Sequence, residues 1–164
     1  MIVIADTSPL NYLVITGYDL LLPKLFGSIL IPQAVFEELS DPKAPEMVIR
    51  WLATLPEWVQ VQPASSFVPP IQNLGRGETE GIALAEALRA DLILIDDADA
   101  RAEAERRKLT VTGTLGVLRL AALQRFVDFS EAVSRLRSTN FSVSPRLLDE
   151  LLADVKHRTE KRDR

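Results

Sequence analysis

Four groups of acidic residues lie at predicted ends of strands or starts of helices, where their carboxylates could bind a divalent metal. These groups are Asp6, Glu38, Glu78 and the pair Asp96-Asp97. Asp6 follows the apolar run Ile2 to Ala5, and Asp96 follows the run Leu92 to Ile95. Ligands bind beyond the carboxyl ends of strands in open α/β sheets. We therefore expect these carboxylates to converge at one edge of a sheet.

Converging carboxylates predict a cation, because their mutual repulsion is severe unless a cation is present or some are protonated. Oxygen ligands of this kind suit Mg²⁺ or Mn²⁺. Two such ions about 4 Å apart can activate a water and stabilise the leaving oxygen of a phosphodiester. The chain has no cysteine and a single histidine, His157, in the basic tail Lys156 to Arg162, which we interpret as a solvated helix end.

Helix geometry distinguishes neighbouring acids. At about 100° per residue, Glu78 lies within about 60° of the centre of its helix's apolar face, whereas Glu80 is about 100° away. Glu38 lies about 110° from the apolar centre of its helix and can border the interior, whereas Glu37, at about 150°, faces water. Glu78 and Glu38 are thus the better ligand candidates.

Each acid also has a simpler interpretation. Asp6 could only cap the next helix, and Glu78 could only complement a helix dipole. Glu38 could be a surface residue, and one aspartate of the pair Asp96-Asp97 could be a helix cap. Asp99 is most simply a first-turn acid facing solvent. The joint placement of the acids, and no single one, supports a metal site.

Strands alternate with helices along the chain, which predicts an α/β fold with a parallel sheet and helices packed on it. Strands are predicted at Ile2 to Ala5, Ser28 to Ile31, Trp58 to Val61, Leu92 to Ile95 and Leu109 to Thr112. Helices are predicted after a Thr7 or Ser8 cap up to Gly17, at Tyr18 to Phe26, from Pro32 to before Pro42, and at Pro45 to Leu55, Glu78 to Leu88, Ala98 to Lys108 and Leu115 to Leu123. Pro63 to Gly77 is predicted to be a loop, and two helices are predicted between Ser130 and Arg158, the second capped by Ser144.

Length and composition predict one compact domain. The chain has 164 residues, 47% of them apolar, which is enough for one sizeable core. Its formal charge of -4 argues against binding nucleic acid through bulk charge, although a local basic rim could be hidden in that sum. We expect a soluble, cytoplasmic protein, because the amino terminus lacks the apolar stretch of a signal peptide and no run approaches a membrane span.

In five segments the chain resembles the PIN-domain family of metal-dependent ribonucleases. The segments are Ile2 to Leu10, Ile31 to Leu39, Leu74 to Glu80, Leu92 to Asp97 and Thr112 to Leu118. They follow in the family's order between about Ile2 and Leu123, and the last fits a prokaryotic branch. The resemblance implies a three-layer α/β/α sandwich with a mostly parallel sheet, a Mg²⁺ or Mn²⁺ site and cleavage of single-stranded RNA.

Carried over by position, Asp6, Glu38, Glu78 and Asp97 would be the acidic quartet, with Asp96 as a substitute for Asp97. Glu80 competes for the third place, which is aspartate in many members. Ser8 or Thr7 would contact the metal shell or a phosphate. Many relatives are toxins that a small antitoxin protein holds inactive, and many are homodimers. We expect residues 1–129 to form the nuclease domain and 130–164 a helical extension packed on it.

We weigh three functions against the sequence, of which the third ranks well behind the others. The first is a Mg²⁺- or Mn²⁺-dependent endoribonuclease, the toxin of a toxin-antitoxin pair, with Arg76 beside the third acid placed to guide RNA together with Arg101, Arg106 and Arg107. The second is a catalytically degenerate member that binds RNA or a protein. The third is a receiver-like phosphoacceptor domain. That class expects an acidic pair after the first strand and a lysine after a late one, whereas here the pair comes late and Thr112 to Leu118 has no lysine.

Overall fold

The protein is built around a sheet of parallel strands. The computed structural model describes residues 1–63 and 68–164, and their five strands occur in the order β3-β2-β1-β4-β5. They are β1 (Val3–Ala5), β2 (Ile29–Pro32), β3 (Val59–Gln62), β4 (Leu92–Leu94) and β5 (Val111–Thr112). The predicted α/β/α sandwich with a parallel sheet is confirmed. This order differs from the 2-1-3-4-5 order of flavodoxin-like and receiver domains.

Helices connect and follow these strands. They are α1 (Thr7–Ile15), α2 (Leu21–Phe26), α3 (Gln33–Leu39), α4 (Glu46–Ala53), α5 (Arg76–Leu88), α6 (Ala98–Arg106), α7 (Thr114–Leu123), α8 (Phe129–Arg137) and α9 (Pro145–Arg162). The prediction that Thr7 or Ser8 caps α1 was wrong. Asp6 holds the N-cap position, and both hydroxyl residues lie inside the first turn. Residues 64–67 of the predicted loop lie outside the described residues, and residues 68–75 form no helix or strand.

The strand order creates a switch point beside β1. The chain passes from β1 to β2 and β3 on one side, then returns to β4 and β5 on the other. Ile4 pairs with Ile93 in the ladder, and the Asp6 N–H donates to the Leu94 carbonyl at 3.0 Å. The carboxyl ends of β1 and β4 are therefore neighbours. A crevice for ligands is expected where the winding direction reverses.

An apolar core fixes these strands to α5 and α6. Ile4 of β1 and Ile93 of β4 are 0% and 1% exposed. The other members of this buried cluster are Ile82, Ala85, Ile95, Ala100 and Ala104. All three residues of β1 are buried, as expected for a strand inside a parallel sheet covered by helices. The core thus holds the start of α5 and the start of α6 close to the crevice.

The chain divides into two compact units, Met1–Thr114 and Leu115–Arg164. In the second unit α8 packs against α9, and the Ser144 hydroxyl accepts from the Leu147 N–H, which confirms the predicted cap of α9. Leu148 and Val155 of α9 are buried, whereas Leu147 is 46% exposed. Within the described residues, no helix is both long enough and apolar enough to cross a membrane.

Candidate active site

An acidic cavity of about 340 Å³ lies at the carboxyl end of β1. Its lining residues are Asp6, Thr7, Ser8, Asn11, Tyr12, Glu38, Gly75 and Glu78. The first five come from the end of β1 and the first turns of α1, because the chain turns directly from strand to helix at Asp6. Glu38 comes from α3 and Glu78 from the first turn of α5. Three of the predicted acids thus share one cavity.

Asp6 is the most deeply buried acid of this cavity, at 5% exposure. Its Oδ1 atom is inaccessible to solvent and has no hydrogen-bond partner. The pKa of Asp6 is raised to about 7, chiefly by burial and also by the negative charges of Glu78, Glu38 and Asp96, against a lowering by the Thr7 N–H. A carboxylate with an unpartnered oxygen among other carboxylates is suited to a cation.

Glu38 is held in place by two donors from other elements. The Thr7 hydroxyl donates to its Oε2, and the Gly77 N–H donates to its Oε1 at 2.9 Å. A Cβ at Gly77 would lie 2.7 Å from the same Oε1, a distance that side chains do not tolerate. The absence of a side chain at Gly77 therefore makes room for the Glu38 carboxylate.

Glu78 serves both its own helix and the cavity. Its Oε2 accepts from the Gly75 N–H at 3.0 Å, which satisfies a donor at the start of α5. Burial raises its pKa, as do the charges of Asp97, Glu38 and Asp99, whereas the Gly75 N–H lowers it. Glu80, the alternative, is not among the cavity-lining residues. Its side chain is 11% exposed, and its Oε2 lies 3.1 Å from Arg76 Nε.

Asp96 and Asp97 occupy different environments. Asp96 accepts from the Thr114 N–H at 2.7 Å, the Thr114 hydroxyl at 2.6 Å and the Ser8 hydroxyl at 3.1 Å. Asp97 holds the N-cap position of α6, yet its side chain makes no capping hydrogen bond, and its Oδ1 is buried without a partner. Neither residue lines the cavity, but Asp96 raises the pKa of Asp6 and Asp97 raises that of Glu78. Both charges therefore act on the site.

The arginines proposed to guide RNA are largely paired with acids. Arg76 begins α5 outside the cavity lining, and it contacts Glu37 at 2.6 Å as well as Glu80. Arg106 and Arg107 both pair with Glu103 at 2.6 Å. The Arg76 side chain nevertheless remains 65% exposed at the start of α5.

A sequence profile of the family described as PIN domain matches residues 2–157. The chain belongs to the PIN-domain family. Its fold is similar to that of a PilT N-terminus domain protein from the hyperthermophilic archaeon Sulfolobus solfataricus, with a TM-score of 0.51 and 14% identity. That match covers 88% of this chain and 100% of the archaeal one, and at this identity it concerns the fold alone. No curated protein gives a significant sequence match.

PIN domains are generally nucleases that act on RNA and typically use divalent metals. The acids of this PIN domain fit such a metal by their chemistry: all are oxygen donors, and Asp6 and Asp97 each keep a buried oxygen without a partner. In the part of the chain that the structure describes, no three acidic, histidine or cysteine side chains are arranged so that they could together hold a metal ion. Mg²⁺ is usually bound by one or two carboxylates, waters and substrate phosphates, so a closed protein cage is not required.

Several residues of this PIN-domain site were not predicted from the sequence. Asn11 and Tyr12 line the cavity because each lies one helical turn after Thr7 and Ser8. That spacing could have predicted from the sequence that both residues line the cavity. Thr114 is the main partner of Asp96, and it lies in the segment Thr112 to Leu118 that carried the family resemblance.

Proposed function

We propose that this PIN domain is a Mg²⁺- or Mn²⁺-dependent endoribonuclease that cleaves single-stranded RNA. The observation that carries the proposal is the buried, unpartnered Oδ1 of Asp6 in a cavity that Glu38 and Glu78 also line. Such a group of carboxylates is costly without a cation, because neighbouring negative charges raise the pKa of Asp6 and of Glu78. Family membership supplies the expectation that the reaction is cleavage of a phosphodiester.

Some residues of the site would bind the cation, and others would position those ligands. Asp6, Glu38, Glu78 and Asp97 would hold the cation, which when bound supplies activation of a water and stabilisation of the leaving oxygen. Thr7 fixes the Glu38 carboxylate through its hydroxyl. Because the pKa of Asp6 is raised to about 7, binding of a cation would displace a proton from this group near neutral pH.

RNA would reach the cavity along the face formed by the first turns of α1 and α5 and the end of α3. Arg76 is the exposed cation at the start of α5, so we assign it a phosphate contact. Tyr12 supplies an aromatic ring in the lining, a surface on which an unpaired base can stack. These contacts suit a single strand, whose bases are free to leave the helical stack.

We further propose that the nuclease is the cytoplasmic toxin of a toxin-antitoxin pair and a homodimer. Residues 1–129 would form the nuclease domain and residues 130–164 a helical extension. This part rests on the family resemblance. A neighbouring reading frame whose small product co-purifies with the protein and abolishes its RNA cleavage would support it, and the mass of the purified protein in solution tests the dimer.

A second candidate, a degenerate PIN domain that binds RNA without cutting it, is favoured by one observation. Among the described residues no three potential ligands are arranged so that they could together hold a metal ion. Calorimetry with Mn²⁺ separates the two candidates, since measurable Mn²⁺ binding is expected for the nuclease and none for the degenerate module.

The direct test is an assay of the purified protein on single-stranded RNA with Mg²⁺, with Mn²⁺ and with a chelator. We expect cleavage only with a metal, and we expect Asp6→Asn to abolish it while the protein stays folded. Glu57→Gln, which changes an exposed acid, is the matched control and should cleave normally. Metal-dependent cleavage that persists in Asp6→Asn would refute the proposed function.

A further inference from the structure

The Asp96 carboxylate accepts three hydrogen bonds from donors within the protein. Oδ1 accepts the Thr114 N–H, and Oδ2 accepts the hydroxyls of Thr114 and Ser8. Thr114 is fully buried at the start of α7, whereas Ser8 lies in the first turn of α1 and lines the acidic cavity. Asp96 therefore links a buried residue at the start of α7 to a residue of the candidate site.

The backbone is shaped to receive this carboxylate. Ile93 pairs with Val111 and Leu94 with Thr112, so continuing this register brings Asp96 beside Gly113 and Thr114. A Cβ at Gly113 would lie only 2.5 Å from Asp96 Oδ1 and 3.3 Å from the Ile95 carbonyl oxygen. Any side chain at position 113 would push the carboxylate away from Thr114. Gly113 and Thr114 together form a socket for Asp96.

The direction of the Ser8 hydrogen bond has a chemical consequence. A serine hydroxyl has one proton and two lone pairs. Because a carboxylate oxygen only accepts, the Ser8 proton points to Asp96, and Ser8 can offer only lone pairs to the cavity. Lone pairs suit a cation or the protons of its bound waters. They do not suit a phosphate oxygen, which needs a donor.

We propose that Asp96 is a positioning residue: with Thr114 it turns the Ser8 hydroxyl so that Ser8 faces the cavity only as an acceptor, toward a divalent cation and its water shell. This inference rests on the proposed function of the site. It assigns Asp96 an indirect action through Ser8 and leaves Asp97, whose Oδ1 has no partner, as the acid available to the cation.

Asp96→Asn tests the proposal because it reverses the hydroxyl. The amide oxygen would stay on the Thr114 N–H, so the NH₂ group would donate to the Ser8 and Thr114 oxygens and turn the Ser8 proton into the cavity. We expect a loss of Mn²⁺ affinity of roughly 10- to 100-fold by calorimetry, the range for groups that orient metal ligands, with unchanged stoichiometry. Thr114→Val, which keeps the N–H and removes the hydroxyl, should give a smaller loss.

The decisive measurement is the double-mutant cycle of Asp96→Asn and Ser8→Ala. If Asp96 acts through Ser8, the double variant binds Mn²⁺ no more weakly than Asp96→Asn alone. Ser8→Thr, which keeps the hydroxyl, should retain affinity close to that of the wild type. Thr159→Val, which removes a hydroxyl bonded to the Val155 carbonyl in α9, is the matched control and should bind normally.

The outcomes of these measurements distinguish the positioning role of Asp96 from the proposed nuclease function. Independent, multiplicative losses from Asp96→Asn and Ser8→Ala, or wild-type affinity in Ser8→Ala, would overturn the positioning of Ser8 by Asp96 while the nuclease assignment stands. Wild-type protein that neither binds Mn²⁺ nor cleaves RNA would overturn both. Gly113→Ala gives an independent check by thermal unfolding, because its destabilisation should be largely removed when Asp96 is also changed to alanine.

Discussion

The backbone N–H of Gly77 donates to the Glu38 carboxylate from so close that a Cβ at Gly77 would overlap both carboxylate oxygens, at 2.7 and 2.8 Å. A residue in the first turn of α5 thereby fixes an acid of α3. The glycine is required by the close approach of a side chain from another element, and Glu38 gains a direction that its exposed helix position would not give it.

Gly77→Ala should therefore impair the site without unfolding the protein. The added methyl group must displace the Glu38 carboxylate from its two donors, so we expect a loss of roughly 10- to 100-fold in metal affinity and RNA cleavage. Helix propensity favours alanine by up to about 1 kcal/mol, which offsets part of any strain. Mn²⁺ calorimetry and urea unfolding measure the two effects.

Gly81→Ala is the matched control in the same helix. Its Cβ would meet only Ile93 Cδ1 at 3.8 Å and Pro32 Cγ at 3.9 Å, both ordinary contacts. This variant should be as active as the wild type and equal or higher in stability, by up to about 1 kcal/mol. If the two alanine variants lost activity equally, the explanation through Glu38 would be wrong.

Asp6 should make the free energy of unfolding depend on pH. Its pKa rises from 3.8 to about 7 on folding, so between these values the folded protein binds more protons than the unfolded chain. Stability contributed by this group is then fully present below about pH 4 and falls as pH rises to about 7. The total change is on the order of 4 kcal/mol, at 1.36 kcal/mol per pKa unit.

Asp6→Asn removes this dependence. We expect the variant to be more stable than the wild type at about pH 8, with the difference vanishing near about pH 4. Added Mn²⁺ should stabilise the wild type at about pH 8 and leave the variant almost unchanged. Urea unfolding across this range decides the matter, and equal pH profiles for the two proteins would contradict the raised pKa.

Substitutions of Asp97 and Asp99 should affect RNA cleavage very differently, although the two residues are close in the chain. Asp97 keeps a buried oxygen without a partner, whereas Asp99 is an exposed first-turn acid of α6. Asp97→Asn should remove most metal-dependent cleavage, and Asp99→Asn should change it by less than about tenfold, since it acts only through its charge near Glu78. Cleavage rates at saturating Mn²⁺ compare them, and a larger effect at Asp99 would reverse the assignment.

Arg76 should contribute to RNA binding through charge. Arg76→Ala is expected to raise KM with little change in kcat and to reduce the slope of log affinity against log salt by about 0.7, the value for one phosphate contact on a single strand. Arg50→Ala, which breaks the exposed pair with Glu46 in α4, is the control and should change neither. Equal salt slopes in wild type and Arg76→Ala would remove Arg76 from the RNA path.

The strand pattern of the sheet could be predicted because parallel strands are short, apolar and regularly alternated with helices. Helix boundaries were less predictable where polar residues follow a strand directly. Thr7 and Ser8 have the chemistry of caps, but the turn comes at Asp6 and their hydroxyls bond to Glu38 and Asp96 instead. Such long-range partners compete with local capping and cannot be inferred from neighbouring residues.

The environments of Asp96 and Asp97 could not be distinguished from the sequence for a similar reason. Both follow β4, and either could have faced the cavity. The difference arises from Gly113 and Thr114, which reach Asp96 only because β5 pairs beside β4. The choice of Glu78 over Glu80 rested on helix periodicity, which is a local property. Glu78 lines the cavity, but the Glu80 side chain, which periodicity placed farther from the apolar face, is only 11% exposed and has a buried Oε2.

The position of β1 bears on how the protein is made. β1 is made before the other four strands, but it lies in the middle of the sheet, and its neighbour β4 is made about ninety residues later. Contacts this distant in the chain form late, because a long loop must close before they can be made. Asp6 therefore lies without Asp97 until β4 has been translated. Under the proposed nuclease function, a nascent chain would lack the complete acidic site until β4 has emerged and joined the sheet.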